Sequence, residues 1–141
     1  MRRTVTRLTP LIGTLLMLTG CYTTPYEYSV SPNEYSGVRL YQVFCSSCHG
    51  LTGRGDGPVA DLFHGGVPDL VHLAARNGGN FPREDVRAAI DGRQAFLAHG
   101  SSDMPVWGFE FYEGGSAKAA RRRSDAMIDR IVKYLADNQV F

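Results

Sequence analysis

The stretch VFCSSCHG, residues 43–50, holds two of the three cysteines in this 141-residue chain, and a histidine follows the second directly. Cys45 and Cys48 are three positions apart, and residues at that spacing lie on one face of a helix. Their thiols and the imidazole of His49 are therefore placed to serve one bound group. A structural zinc ion, a redox-active dithiol, a structural disulfide and a covalently attached cofactor are the interpretations to compare.

The rest of the chain argues against the first three interpretations. A structural zinc site needs two more ligands at suitable spacing, yet the third cysteine is Cys21 and the other histidines, His64, His72 and His99, are scattered. A thioredoxin-like dithiol is expected in a βαβ context, which this sequence does not offer. A disulfide across so short a loop removes little chain entropy and stabilises little.

Covalent haem attachment fits better, because Cys-x-x-Cys-His is its signature. Cys45 and Cys48 would form two thioether bonds to one macrocycle, and His49 would bind the iron from the same side. The limited apolar core agrees with this interpretation. Residues 34–141 are few, and much of this part is Gly- and Pro-rich sequence that cannot form regular helices. Small domains with a limited core are often completed by a metal, a disulfide or a cofactor.

Residues 1–20 have the anatomy of an export signal. An arginine-rich start precedes an apolar run over residues 11–18, which is shorter than the roughly 20 apolar residues of a membrane span. The following LTGC, Leu18–Cys21, resembles the lipobox of bacterial lipoproteins, in which the signal is removed and the cysteine is lipidated. We therefore expect Cys21 to carry the lipid anchor and residues 21–33 to form a flexible tether; a free or disulfide-bonded Cys21 is the alternative.

Charge and export narrow the choice of partners. The chain has 15 Lys and Arg against 14 Asp and Glu, and removal of a signal with three arginines and no acid leaves a formal charge of −2. Nucleic acid is therefore not an expected partner. We expect an exported bacterial lipoprotein on the periplasmic face of a membrane. Tyr22 is not the aspartate that marks inner-membrane retention in some bacteria, which favours the outer membrane.

Periodicity and turn residues predict a helical domain. We expect helices over about residues 33–47 and 83–90, and a last helix that starts after an N-cap at Ser124. Residues 93–115 are expected to form a loop, and the basic run 121–123 to lie in a solvated loop ahead of the last helix. No alternating pattern is long enough to predict a strand.

Four stretches resemble class I mono-haem cytochromes c, and the resemblance covers residues 34–141. They are CSSCHGLTGRGDGP (45–58), AAIDGR (88–93), HGSSDMPVWG (99–108) and IVKYLADNQ (131–139). The resemblance implies a small all-α cytochrome c fold, with helices and Gly/Pro-rich loops wrapped around one haem c per chain. It also implies that Gly37 and Tyr41 pack against Tyr134 and Leu135, where the first and last helices cross.

The second axial ligand decides between electron transfer and gas binding. Met104, followed by Pro105, stands at the family's ligand position, and His/Met ligation is typical of cytochromes c. His99 is the main rival, His64 lies in a loop that could fold over the haem, and His72 is a further candidate. Met127 belongs to the apolar face of the last helix and is expected in the core. If Met104 is not a ligand, a gas-binding or sensory haem domain is the alternative.

Three further residues are expected around the haem. The carbonyl of Pro68, or alternatively that of Pro58, could accept a hydrogen bond from His49 and fix its orientation. Arg93 and Trp107 could contact the haem propionates, although simple core packing would also explain Trp107.

These features predict a one-electron carrier rather than an enzyme. No pair of nucleophile and base is evident, so no catalytic residue is assigned and no small-molecule substrate is expected. The expected partners are redox proteins, together with the membrane through Cys21. A haem c subunit of a larger respiratory oxidoreductase is the alternative.

Overall fold

The computed structural model describes residues 32–93, 103–112 and 114–141. The predicted signal, the predicted lipidation site Cys21 and the candidate ligand His99 lie outside these residues. Within them the chain is helical and contains no strand, which confirms the predicted all-α class. The α-helices are α1 (Gly37–Phe44), α2 (Ser46–His49), α3 (Leu73–Arg76), α4 (Arg83–Asp91), α5 (Trp107–Glu110) and α6 (Ala117–Asp137).

The first predicted helix is broken into shorter pieces. A 3₁₀ turn, Pro32–Glu34, precedes α1, and the N-cap of α1 is Ser36, whose hydroxyl accepts a hydrogen bond from the Arg39 N–H. Cys45 interrupts the helix with φ −119°, and α2 begins at the next residue. The continuous helix over 33–47 was therefore wrong, because apolar spacing registers neither the extended Ser36 before α1 nor the distorted turn at Cys45.

The last helix begins earlier than predicted. Its N-cap is Ser116, whose hydroxyl accepts a hydrogen bond from the Ala119 N–H. Ser124 lies inside α6, is fully buried and donates its hydroxyl to the Gly108 carbonyl at 3.2 Å. The basic run 121–123 is consequently helical rather than a loop. The apolar pattern missed this start because the first two turns of α6 bury only Ala120.

The crossing of α1 with α6 forms the centre of the fold. A Cβ at Gly37 would overlap with the Arg130 carbonyl and lie 3.0 Å from the Tyr134 Cβ, so the helix backbones meet closely here. The Tyr41 and Tyr134 rings also pack, with centroids 5.2 Å apart. The predicted contacts of Gly37 and Tyr41 with Tyr134 are confirmed, and Leu135 is buried in the same core.

Helices α4 and α5 pack beside this core, and one of them was predicted from the sequence. Helix α4 matches its prediction closely and stops at Gly92, whose φ of 67° is left-handed. Helix α5 lies where a loop was expected, so the prediction for residues 93–115 was wrong over these four positions.

Across the described ranges, every helix is too short or too polar to cross a membrane.

Candidate functional site

One cavity brings together most of the side chains that the sequence singled out. It has a volume of about 310 Å³, within the range of ligand pockets. The predicted site residues on its wall are Cys45, Cys48, His49, Pro68, Met104 and Trp107. Sequence reasoning did not assign the apolar wall between them, formed by Phe44, Phe63, Val67 and Pro105.

The two cysteines meet the cavity at the junction of α1 and α2. Both thiols are free, Cys45 buried and Cys48 half-buried, so each is available for a bond to a shared group. Burial, and to a lesser degree the neighbouring Cys48, raises the pKa of Cys45 to about 12. Among the described residues, no cluster of three or more His, Cys, Asp or Glu side chains could hold a metal ion. The zinc interpretation therefore has no support there.

The glycine-rich loop after His49 satisfies the C-terminal end of α2. The last carbonyls of a helix have no partner within it. Here the N–H groups of Gly55, Gly57 and Val59 donate to the carbonyls of His49, Cys48 and Ser47 at 2.9, 3.1 and 3.1 Å. A Cβ at Gly57 would lie 2.5 Å from the Cys48 carbonyl oxygen, so only glycine lets the loop lie so close.

His49 is buried and oriented by a backbone carbonyl. Its Nδ1 lies 3.0 Å from the Pro68 carbonyl oxygen, the contact expected from the sequence, and Pro58 does not line the cavity. With Nδ1–H donating to that carbonyl, Nε2 carries the lone pair that a metal would bind. Burial lowers the pKa of His49, and the hydrogen bond to Pro68 opposes this shift. The imidazole is therefore held neutral and in one orientation.

The same loop positions the Pro68 carbonyl. Gly55 has φ +79°, and a Cβ there would overlap with the Val67 carbonyl. The Leu70 N–H donates to the Gly53 carbonyl at 2.7 Å, which joins the loop to the strip of chain that contains Pro68. The glycines after the cysteine motif thus cap α2 and also position the Pro68 carbonyl that orients His49.

Tyr41 fixes the point where α2 meets this loop, a role the sequence did not indicate. Its buried hydroxyl donates to the Gly50 carbonyl at 2.6 Å. Burial raises the pKa of Tyr41, and Cys45, Tyr134 and Asp56 add to the shift. A tyrosine at a helix crossing signals packing, and no sequence pattern identifies a carbonyl nine residues away as its partner.

Met104 is the candidate axial ligand that the structure brings to the cavity. Its side chain is half-buried, lines the cavity and packs against the core. Met127 is buried in the core, as expected, and is not on the cavity wall. His64 is exposed and also absent from the wall, while His72 pairs with Asp69 at 2.7 Å. Among the described residues, the geometry therefore favours Met104.

Trp107 and Arg93 differ in their relation to the cavity. Trp107 lines the cavity and stacks on Phe111, with ring centroids 5.3 Å apart. Its buried Nε1 has no hydrogen-bond partner among the described residues. A buried indole N–H normally has an acceptor, so this donor fits a carboxylate of a bound group. Arg93 does not line the cavity, and its guanidinium is paired with Asp91 and Asp125. Its expected contact with a haem propionate stays a prediction.

Comparison with known proteins agrees with this geometry. The sequence model of the Cytochrome c family matches residues 36–139. No curated protein and no solved structure gives a significant match. The family binds haem c covalently, and the cavity supplies two thiols, an oriented imidazole, a thioether and an open indole donor, which suit that group. The extent of the match and the residues of the cavity together show that the chain belongs to the cytochrome c family.

Proposed function

We propose that this protein is a membrane-anchored, periplasmic one-electron carrier with His49 and Met104 as the axial ligands of its haem c. Membership of the cytochrome c family establishes haem binding and a haem-based role in electron transfer. The ligation and the anchor go beyond that. The observation that carries the ligation is that His49 and Met104 line the same cavity as both cysteines.

Each side chain has a defined part in this function. Cys45 and Cys48 would hold the porphyrin, His49, oriented by the Pro68 carbonyl, would bind the iron through Nε2, and Met104 would offer its sulfur. When bound, haem c supplies an iron that takes up and releases one electron. With both side chains held by the fold, the structural change that accompanies electron transfer would be small. A methionine ligand also raises the reduction potential relative to a second histidine.

The cavity favours a carrier over an enzyme. Its described wall consists mainly of apolar side chains and residues that bind or orient the haem, and Asp103 is its single carboxylate. A general acid–base mechanism would need a partner placed within hydrogen-bond reach of such a group. The proposed partners are accordingly redox proteins rather than small-molecule substrates.

A matched pair of methionine variants tests the ligation. Met104→Leu removes the proposed sulfur ligand from the cavity, whereas Met127→Leu makes the same replacement in the buried core. We expect the parent and Met127→Leu to show the weak far-red absorption of methionine–iron coordination and to leave carbon monoxide unbound when reduced. Met104→Leu should lose the band and bind carbon monoxide. Rapid carbon monoxide binding by the parent would refute the six-coordinate state and favour a gas-binding domain.

The anchor is tested separately. The lipobox at Leu18–Cys21 supports lipidation, and two or more acyl chains hold a protein stably on a membrane. We expect Cys21→Ser to lose incorporation of labelled fatty acid and to move from the membrane fraction to the soluble periplasmic fraction. The parent should fractionate with the outer membrane, and recovery with the inner membrane would contradict that choice.

A further inference from the structure

The chain between Met104 and Gly108 carries three residues of the cavity wall, Met104, Pro105 and Trp107, and packs against the end of α4. A Cβ built at Gly108 would have Asp91 and Arg93 as its nearest neighbours and would lie 2.5 Å from the Arg93 Nε. No side chain fits at this point. Gly92, which lies between Asp91 and Arg93 and caps the C-terminus of α4, would place a Cβ 3.3 Å from the Val106 Cα. The corner formed by residues 91–93 therefore lies directly against the backbone of this segment.

An ion-pair cluster gives that corner its shape. Arg93 Nε and Nη2 donate to the two carboxylate oxygens of Asp91 at 2.5 and 2.7 Å, and Nη2 also donates to Asp125 Oδ1 in α6 at 2.9 Å. The side chains of Arg93 and Asp91 are only 14% and 16% exposed. A bidentate pair shielded from water holds its geometry more strongly than a surface pair.

The opposite side of Gly108 is held by α6. Ser124, fully buried, donates its hydroxyl to the Gly108 carbonyl. Gly108 is thus enclosed between the Asp91–Arg93 pair and α6, and Trp107, its neighbour, points its indole to the cavity wall. A shift of the arginine cluster would be passed to Trp107 and Met104 through one short stretch of backbone.

We propose that Arg93, bonded to Asp91 and Asp125, is a positioning residue that sets Trp107 and Met104 on the haem without touching it. The part that concerns Met104 as an iron ligand rests on the proposed function. The part that concerns Trp107 does not.

Arg87 provides a matched comparison. It joins the same helices through Asp129, Asp125 and Asp91 at 2.9, 3.3 and 3.7 Å. Its side chain is 30% exposed, about twice the value for Arg93, and none of the three atoms nearest to a Cβ at Gly108 belongs to it. Arg87 therefore only joins α4 to α6, whereas Arg93 also packs against the backbone at Gly108, next to Trp107.

The test compares Arg93→Met with Arg87→Met in the holoprotein. Trp107 is the only tryptophan of the chain, so its indole N–H gives one resonance whose exchange with deuterium can be followed in the reduced protein. We expect exchange to be faster by a factor of about ten or more in Arg93→Met, because removing one member of a shielded ion pair leaves the others uncompensated. The far-red methionine band should weaken in parallel. Arg87→Met should keep both signals, even if it unfolds at a lower temperature.

Each outcome decides the question. Parent-like exchange in Arg93→Met, or an equal acceleration in Arg87→Met, overturns the positioning role. If the parent itself lacks the far-red band, the Met104 ligation fails, and Trp107 exchange alone decides this inference. If Arg93→Met does not fold, Arg93→Lys replaces it. Lysine keeps the charge but not the fork of donors, so faster exchange there supports the proposal and parent-like exchange overturns it.

Discussion

Replacing Tyr41 with phenylalanine tests how the start of the glycine-rich loop after His49 is held in place. The ring stays in the crossing of α1 and α6, where it packs on Tyr134, and only the hydroxyl that donates to the Gly50 carbonyl is lost. A buried acceptor that loses its donor costs about 1–3 kcal/mol. Gly50 keeps one weaker bond, from the Gly53 N–H at 3.2 Å. We therefore expect the lower end of that range, about 1 kcal/mol.

For a domain of this size, about 1 kcal/mol corresponds to a fall of about 4 °C in Tm. The assay is thermal and urea unfolding of the holoprotein, with Tyr134→Phe as the control. Tyr134 shares the ring contact, but no hydroxyl hydrogen bond of Tyr134 is seen among the described residues, so we expect a loss below about 0.5 kcal/mol. Equal losses in the two variants would refute the role of the Tyr41 hydroxyl.

The same pair of proteins gives a pH signature. Burial raises the pKa of Tyr41 in the folded protein, whereas a tyrosine in the unfolded chain titrates near pH 10. A raised folded pKa gives stability that is present below the unfolded pKa and is lost as pH rises above it. The parent should therefore lose stability more steeply than Tyr41→Phe above about pH 10. Parallel curves would contradict the burial of this hydroxyl.

Two further predictions concern the loop and the arginine cluster. Gly57→Ala would force the loop off the carbonyls of α2 and should cost about 1–3 kcal/mol and lower the haem content measured by absorption. Gly65→Ala, with no atom within 4 Å of the new Cβ, should change neither. Hydrogen bonding from Arg93 lowers the pKa of Asp91, so its stabilisation is fully present above the unfolded carboxyl pKa of about 3.9 and is lost as pH falls from there through the lower folded pKa. In urea unfolding, the advantage of the parent over Asp91→Asn should shrink progressively as pH falls below about 4, and an advantage that does not change with pH would argue against the ion pair.

Local signals in the sequence predicted the parts of this molecule that depend on neighbouring residues. Helix α4 has acids in its first turn and a left-handed glycine after its last residue, and both are short-range features. The spacing of Cys45, Cys48 and His49 likewise placed three groups on one cavity, because these residues lie within five positions of one another, Cys45 at the start of α2 and the other two within it.

Long-range contacts explain the predictions that failed. Ser124 looks like an N-cap because a short polar residue precedes an apolar stripe, yet its hydroxyl is used by the Gly108 carbonyl, sixteen residues away. For Arg93, whose expected propionate contact stays a prediction, no local sequence signal indicated its observed partner Asp125, which comes from α6. In each case the polar partner comes from a segment whose position depends on the fold.

Three glycines show how a chain with a modest core can still hold a large cofactor. Gly37 lets α1 meet α6, Gly57 lets the loop meet α2, and Gly108 lets α5 meet the end of α4. At each crossing a side chain would separate two backbones. Close approach at these points leaves the apolar side chains of Phe44 and Trp107 to face the cavity, where they pack edge to face with ring centroids 5.6 Å apart. The glycines thus direct apolar surface toward the haem, and the cofactor completes the core that the helices leave open.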